Sequence, residues 1–182
     1  MARGRPSKKQ EILDAARQLF AASGYQGTSI GLVVQTAGVS KPTVYNNFPT
    51  KQALLSALME QLLVESQAFR QRLWKDKHIS VADGLIKAFE DIASVPEYLA
   101  VYRISYGERH KLDEQTYLLF KRFDQSLQLD CRCWLETHTF ELQEGAMLAI
   151  IAICREGILI PALSGDERVP RAVIEAGLGR FL

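Results

Sequence analysis

Apolar residues recur along this chain at spacings of three and four, the mark of helices that bury one face. Ile12, Ala15, Ala16, Leu19 and Phe20 form the first stripe. Ser7 and Gln10 make a capping box ahead of it, and Gly24 is expected to stop this helix after about Ser23. Thr28 is expected to cap a second helix, in which Ile30, Val33, Val34 and Ala37 share a face. Gly38 then reaches the left-handed conformation at little cost, and Val39 plugs the corner. Ser40 is the next cap, with Pro42 in the first turn, where a missing amide hydrogen costs nothing. Thr43 to Phe48 complete this helix and Pro49 ends it. Thr28 to Phe48 thus reads as two short helices joined by a tight turn.

The same period continues to the end of the chain. Thr50 caps a fourth helix, about Lys51 to Lys75, carrying Leu54, Leu55, Leu58, Leu62, Phe69 and Leu73. Ser80 and Asp83 open a fifth, with Val81, Leu85, Ile86, Phe89, Ile92 and Ala93 inward. Pro96 starts a sixth, and Asp113 caps a seventh in which Phe120, Phe123, Leu127, Cys131 and Trp134 align. Thr139 begins an eighth that ends near Pro161, and a turn at Ser164-Gly165-Asp166 leads to a ninth, from about Glu167 to the end. About nine helices and no strand predict an all-α fold. Ala146 to Cys154 is apolar on every side and must be covered all round, by a partner or by a monomer's own core. It is about half the length a membrane span needs.

The net charge of +1 hides an uneven distribution. Residues 1–51 hold seven Lys/Arg against Glu11 and Asp14, a net of +5, and the rest of the chain carries −4. A basic small region on an acidic larger one suits a polyanion at one end. Arg3 and Arg5 lie in a basic arm, Met1 to Pro6, that either tracks DNA or is a solvated tail. No apolar run follows the N-terminus, so no signal peptide is expected. Three cysteines form no framework of bridges, which points to a reducing cytoplasm.

Catalytic patterns are missing. There is no Gly-x-Ser-x-Gly, P-loop or His-Glu-x-x-His. Cys131 and Cys133 point to different faces of one helix, and His138 lies two turns from Cys131, about 10 Å along the axis. Structural cysteines are the simpler reading; His78, His110 and His138 fall near helix ends as solvent-facing or capping groups. No catalytic residue, metal or cofactor is assigned, and the chain reads as something other than an enzyme.

What the chain does offer is a helix with a polar start, Ser40, Lys41 and Thr43, behind a tight turn. A DNA-reading helix inserts its N-terminal part into the major groove while the helix before it crosses the backbone. Tyr45 offers a hydroxyl to a phosphate. At the start of the fourth helix, free amides and Lys51 suit another phosphate. A surface hairpin of a helical enzyme is the plain alternative.

Residues Ile12 to Leu55 closely resemble the N-terminal domain of the tetracycline-repressor (TetR/AcrR-type) family of bacterial transcriptional regulators. The resemblance rests on Ile12-Leu13-Asp14-Ala15-Ala16-Arg17-Gln18-Leu19-Phe20, on Gly24-Tyr25 and Thr28-Ser29-Ile30, on Ala37 through Phe48, and on Lys51-Gln52-Ala53-Leu54-Leu55. Val34 stands where the family usually has alanine, and Pro42 where glycine is common. The DNA-contacting set expected from pattern and resemblance is Thr28, Ser29, Ser40, Lys41, Pro42, Thr43, Tyr45, Asn46, Asn47 and Lys51.

The resemblance implies a DNA-binding domain over residues 1–51, joined by a long helix to a ligand-sensing and dimerisation domain over 52–182. It implies a homodimer that makes a four-helix interface from the last two helices of each subunit, here Met147, Ile150, Ile151, Ile153, Cys154, Ile158, Val173 and Leu178. It also implies a cavity for an unknown effector, apolar or aromatic, among Phe69, Phe89, Tyr102, Tyr106, Phe120, Phe123 and Met147; on pattern alone these are more often a plain core. The expected function is a ligand-responsive regulator, a repressor released from a palindromic operator in double-stranded DNA. The alternative is a small helical enzyme or an interaction module.

Overall fold

The computed structural model describes residues 7–138 and 143–182, so Arg3, Arg5 and the expected helix start at Thr139 lie outside the described residues. Among the described residues there are nine helices and no strand: α1 (Lys8–Gly27), α2 (Ile30–Ala37), α3 (Lys41–Asn47), α4 (Lys51–Leu73), α5 (Val81–Ser94), α6 (Pro96–Gly107), α7 (Glu114–Glu136), α8 (Glu144–Ser164) and α9 (Arg171–Leu178). A 3₁₀ turn, Arg109–Lys111, precedes α7. The chain forms two compact units, one of Met1–Leu62 with Ala100–Lys121, the other of Leu63–Leu99 with Arg122–Leu182.

In the first unit α1 packs on α2 and α3. Ile12, Ala16, Val33 and Val44 are wholly buried, and Phe20 and Phe48 nearly so. Ser7 caps α1 by accepting from the Gln10 amide at 3.2 Å. Gly24 does not stop α1. It kinks the helix, with φ 68° and ψ −177°, and helical turns resume to Gly27. Thr28 does not cap α2 either. Its hydroxyl donates back to the Gly24 carbonyl at 2.9 Å, closing α1, and Ser29 accepts from the Leu32 amide instead. Both shifts have one cause: the kink carries the helix one turn beyond the glycine. Gly38 is left-handed at φ 61°, as expected of its place.

In the second unit α5 buries Leu85, Ile86, Phe89 and Ile92 almost completely. Helix α8 packs on α5 and α9. It is interrupted by a π-turn, Arg155–Leu159, where the Ile160 amide reaches the Arg155 carbonyl. Gly157 in that turn lies so close to α9 that a Cβ there would stand 2.9 Å from Ile174 Cδ1. Its carbonyl also accepts from the Val169 amide at 3.1 Å. That bond and Pro170 keep the chain extended up to Arg171, so α9 starts later than expected. Over Glu144–Ser164, 21 residues, α8 is long and apolar enough to cross a membrane by length and composition, longer than its strictly apolar run suggested. Arg155, in its middle, pairs with Asp124 of α7 at 2.7 Å.

A buried cation ties α4 to α7. Arg70, 1% exposed, donates to Asp130 at 2.6 and 2.9 Å, to Ser126 at 3.1 Å and to Ser66. Its charge is matched and its donors are used, as burial demands. Trp74 and Trp134 stack at 5.5 Å, and their indole nitrogens donate to the carbonyls of Gly84 and Val81.

Candidate nucleic-acid interface

Helix α3 has one apolar anchor, Val44, wholly buried, and Phe48 just past its end, 3% exposed. That anchoring turns Ser40, Lys41, Pro42, Tyr45 and Asn46 outward, and all five are exposed. Ser40 caps the helix, accepting from the Thr43 amide at 3.3 Å, and its hydroxyl meets that of Thr43 at 2.7 Å. Lys41 Nζ lies 5.9 Å from the centre of the Tyr45 ring. The row therefore presents one cation, one phenol, one amide and small hydroxyls, groups that bond to phosphates and to base edges.

Three expected contacts stand differently. Thr28 is 1% exposed and its hydroxyl is occupied, so it has nothing to offer DNA. Asn47 is half-buried and its amide donates to the Thr43 carbonyl at 2.8 Å, which makes it a brace of α3. Lys51 is half-buried, with Nζ 4.2 Å from the centre of the Tyr25 ring. Burial pulls the pKa of its ammonium down, and the nearby Glu108 carboxylate opposes that. Ser29 is exposed at the start of α2. The structure adds Gln35 and Thr36, exposed on the last turn of α2, which periodicity could not separate from any polar helix face.

A network of hydrogen bonds braces this unit from residues 108–116. The Glu108 carboxylate accepts from the Gln26 amide at 3.0 Å. Gln26 Nε2 donates to the Lys111 carbonyl at 3.3 Å, and Gln52 donates to Thr116 at 3.0 Å and to Asp113 at 3.3 Å. Asp113 caps α7 by accepting from the Thr116 amide at 2.8 Å, which holds its carboxyl below the usual range. Burial raises the Tyr25 phenol, and a bond to Thr116 works against it.

The expected effector residues stand in different surroundings. Phe89, Tyr102, Phe120 and Phe123 are at most 2% exposed and fill cores, while Tyr106 is 54% exposed. Phe69 is half-buried. Of the expected set, only Met147 lines an opening of about 480 Å³, with Gln128, Leu129, Arg132, Glu144, Leu148 and Ile151. The expected interface residues differ widely in exposure within one chain. Ile150, Cys154, Ile158 and Leu178 are at most 2% exposed within one chain, and Met147 and Ile151 under 9%, so they have little surface left for a partner. Ile153 is half-buried, packed against Gly177. The large apolar side chains of α8 and α9 that remain outside are Leu148, 73% exposed, and Val173, 58%. Cys131 and Cys154 are buried free thiols whose pKa values burial raises, that of Cys154 to about 12. No cluster of three or more His, Cys, Asp or Glu suited to a metal occurs among the described residues.

Comparison with known proteins fits this geometry. Residues 12–58 match the model of the bacterial regulatory proteins, tetR family. The chain is 44% identical over 57 residues to the HTH-type transcriptional regulator YvkB of Bacillus subtilis, covering 31% of this chain and 30% of that protein. It is 39% identical over 93 residues to the HTH-type transcriptional regulator RutR of Escherichia coli, covering 51% of this chain and 38% of RutR. The chain thus spans well under half the length of these relatives. Among solved structures, a TetR transcriptional regulator from Legionella pneumophila superimposes with a TM-score of 0.76 at 19% identity, over 98% of this chain and 97% of that one. FadR from Bacillus subtilis, solved in complex with stearoyl-CoA, gives 0.67 at 18%, over 94% and 96%. At these identities the likeness is one of fold.

Proposed function

Residues 12–58 form a domain of the tetR family of bacterial regulatory proteins, and from that premise we propose that this chain is a DNA-binding transcriptional regulator, a repressor released by a small molecule. The observation that carries this reading is the outward row Ser40, Lys41, Pro42, Tyr45 and Asn46 on a helix held from behind by buried Val44. Lys41 and Asn46 supply base-edge and phosphate contacts, Tyr45 a phosphate contact, and Ser29 and Lys51 further backbone contacts from the starts of α2 and α4.

Two copies reading successive major grooves, about 34–36 Å apart, match a near-palindromic operator. The exposed faces of α8 and α9, with Leu148, Ala152 and Val173, support a homodimer built on these helices.

The effector in this reading is a partly apolar small molecule. The filled aromatic cores leave it no room without repacking, which favours the opening beside Met147. There Leu129, Leu148 and Ile151 supply apolar surface, and Arg132 and Glu144 supply charge. Such a molecule acts by binding better to a state whose reading helices no longer match the grooves. A hundredfold loss of DNA affinity requires about 2.7 kcal/mol of differential binding. Regulation of transcription places the protein with the chromosome, in the cytoplasm.

A salt titration with random-sequence duplex tests the core of the proposal. A dimer contacting about 6–10 phosphates loses roughly 10³–10⁵ in affinity between 50 and 200 mM salt. A flat response would mean that α3 is an ordinary surface helix.

A further inference from the structure

We propose that the 3₁₀ turn Arg109–Lys111 is a second DNA-backbone contact outside the helix-turn-helix, with Lys111 as the contacting residue. The inference rests on the DNA-binding reading above and assigns that reading a surface from a distant part of the chain.

The turn belongs to the same compact unit as α1 to α3. That unit holds eleven Lys/Arg against six Asp/Glu, a net of +5, while the other unit carries −4. The acids flanking the turn are engaged within the unit. Glu108 accepts from the Gln26 amide at 3.0 Å, Asp113 accepts from the Thr116 amide and hydroxyl at 2.8 Å each, and Glu114 pairs with Arg109 at 2.9 Å. Arg109 also lies 3.9 Å over the Tyr117 ring, which fixes it in place. Lys111 is exposed, and its tie to α1 uses the backbone: the carbonyl accepts from Gln26 Nε2 at 3.3 Å, leaving the ammonium uncommitted to that bond.

Gln26 stands three residues before Ser29, so the start of α2 lies within about 10 Å of it. In a helix-turn-helix this is the helix that crosses the DNA backbone. Duplex DNA carries a charge about every 1.7 Å along its axis. A lysine fixed beside the α1–α2 junction therefore meets phosphates next to those that α2 engages. Such a contact adds affinity without sequence preference.

The test is the salt dependence of binding to a long random-sequence duplex, followed by fluorescence anisotropy between about 50 and 200 mM salt. Lys111→Gln should lower the slope by about one per bound subunit, so over this range its affinity falls about three- to fourfold less per subunit than that of the wild type, and about tenfold less for a bound dimer. Lys87→Gln, an exposed lysine on α5 of the other unit, should leave the slope unchanged. A wild-type slope in Lys111→Gln overturns the proposal, and so does an equal drop in Lys87→Gln, which would make the effect one of net charge. If the wild type itself shows no salt-dependent binding, the DNA-binding reading fails and takes this inference with it. Wild-type binding with an unaltered Lys111→Gln slope sinks this inference alone.

Discussion

The carboxylate of Glu108 occupies the space where a side chain on Gly24 would begin. Gly24 also holds φ 68° and ψ −177°, a conformation open almost only to glycine. One residue thus meets two demands, a kink in α1 and a berth for the acid that bonds to Gln26. Gly24→Ala should lower stability by about 2 kcal/mol or more, read from urea unfolding of the full chain. Glu108→Ala in the same chain should recover part of that loss, because it removes the collision and leaves the backbone strain. No recovery at all would mean that the collision contributes nothing.

Gly157 and Ile174 form the equivalent close approach between α8 and α9, with a would-be Cβ 2.9 Å from Ile174 Cδ1 and 3.0 Å from Cγ1. Gly157→Ala should cost about 1–3 kcal/mol by overpacking. In an Ile174→Val background, which lacks Cδ1, the same alanine should cost measurably less, so the two changes couple in a double-mutant cycle. Additive effects would show that α9 shifts freely.

Asp91 has one carboxylate oxygen buried with no hydrogen-bond partner, and burial raises its pKa to about 6, with Arg70 and Arg72 pulling the other way. The folded state therefore holds a proton that the unfolded chain gives up near 3.8. Stability from this group is present below pH 3.8 and is lost as pH rises to about 6. Asp91→Asn should be stabilised relative to the wild type by an amount that grows from pH 4 to pH 7. Denaturant midpoints measured across that range check the sign, and a constant difference would rule out the shift.

Leu148 and Val173 are the most exposed large apolar side chains on α8 and α9. Aspartate at either position meets water in a monomer and a dry contact in the proposed dimer, where an unpaired charge costs several kcal/mol. Leu148→Asp and Val173→Asp should fold normally and sediment as monomers. Ile150→Asp, at a position 0% exposed within one chain, should instead unfold it. If both exposed variants stay dimeric, the interface lies elsewhere.

The helix-turn-helix was legible in the residues because its signals are local. Ser40, Pro42, Gly38 and the spacing of Val33 and Val44 act within a turn of themselves, and each stands where its chemistry predicted. Thr28 was misassigned for a reason equally local: Thr28 and Ser29 are both good caps, and the kink at Gly24 decided between them. The expected interface and pocket were harder to read for a different reason. An apolar helix such as α8 announces that it must be covered, but not which face its own chain covers. Ile150 and Leu148 are alike in sequence, and 0% and 73% exposed in the fold.

The sequence by itself therefore determined the order of the helices, most of their caps, the all-α class and the polar row of α3, since these depend on spacing and on residues in contact along the chain. Only the tertiary structure decided what meets across long separations. It seated Glu108 in the space left by Gly24, brought Lys111 to Gln26, set Gly157 against Ile174 and closed the aromatic cores. Those contacts join positions up to 85 residues apart. No periodicity along one helix encodes them, because they follow from how whole helices pack and which small residue lets a neighbour in.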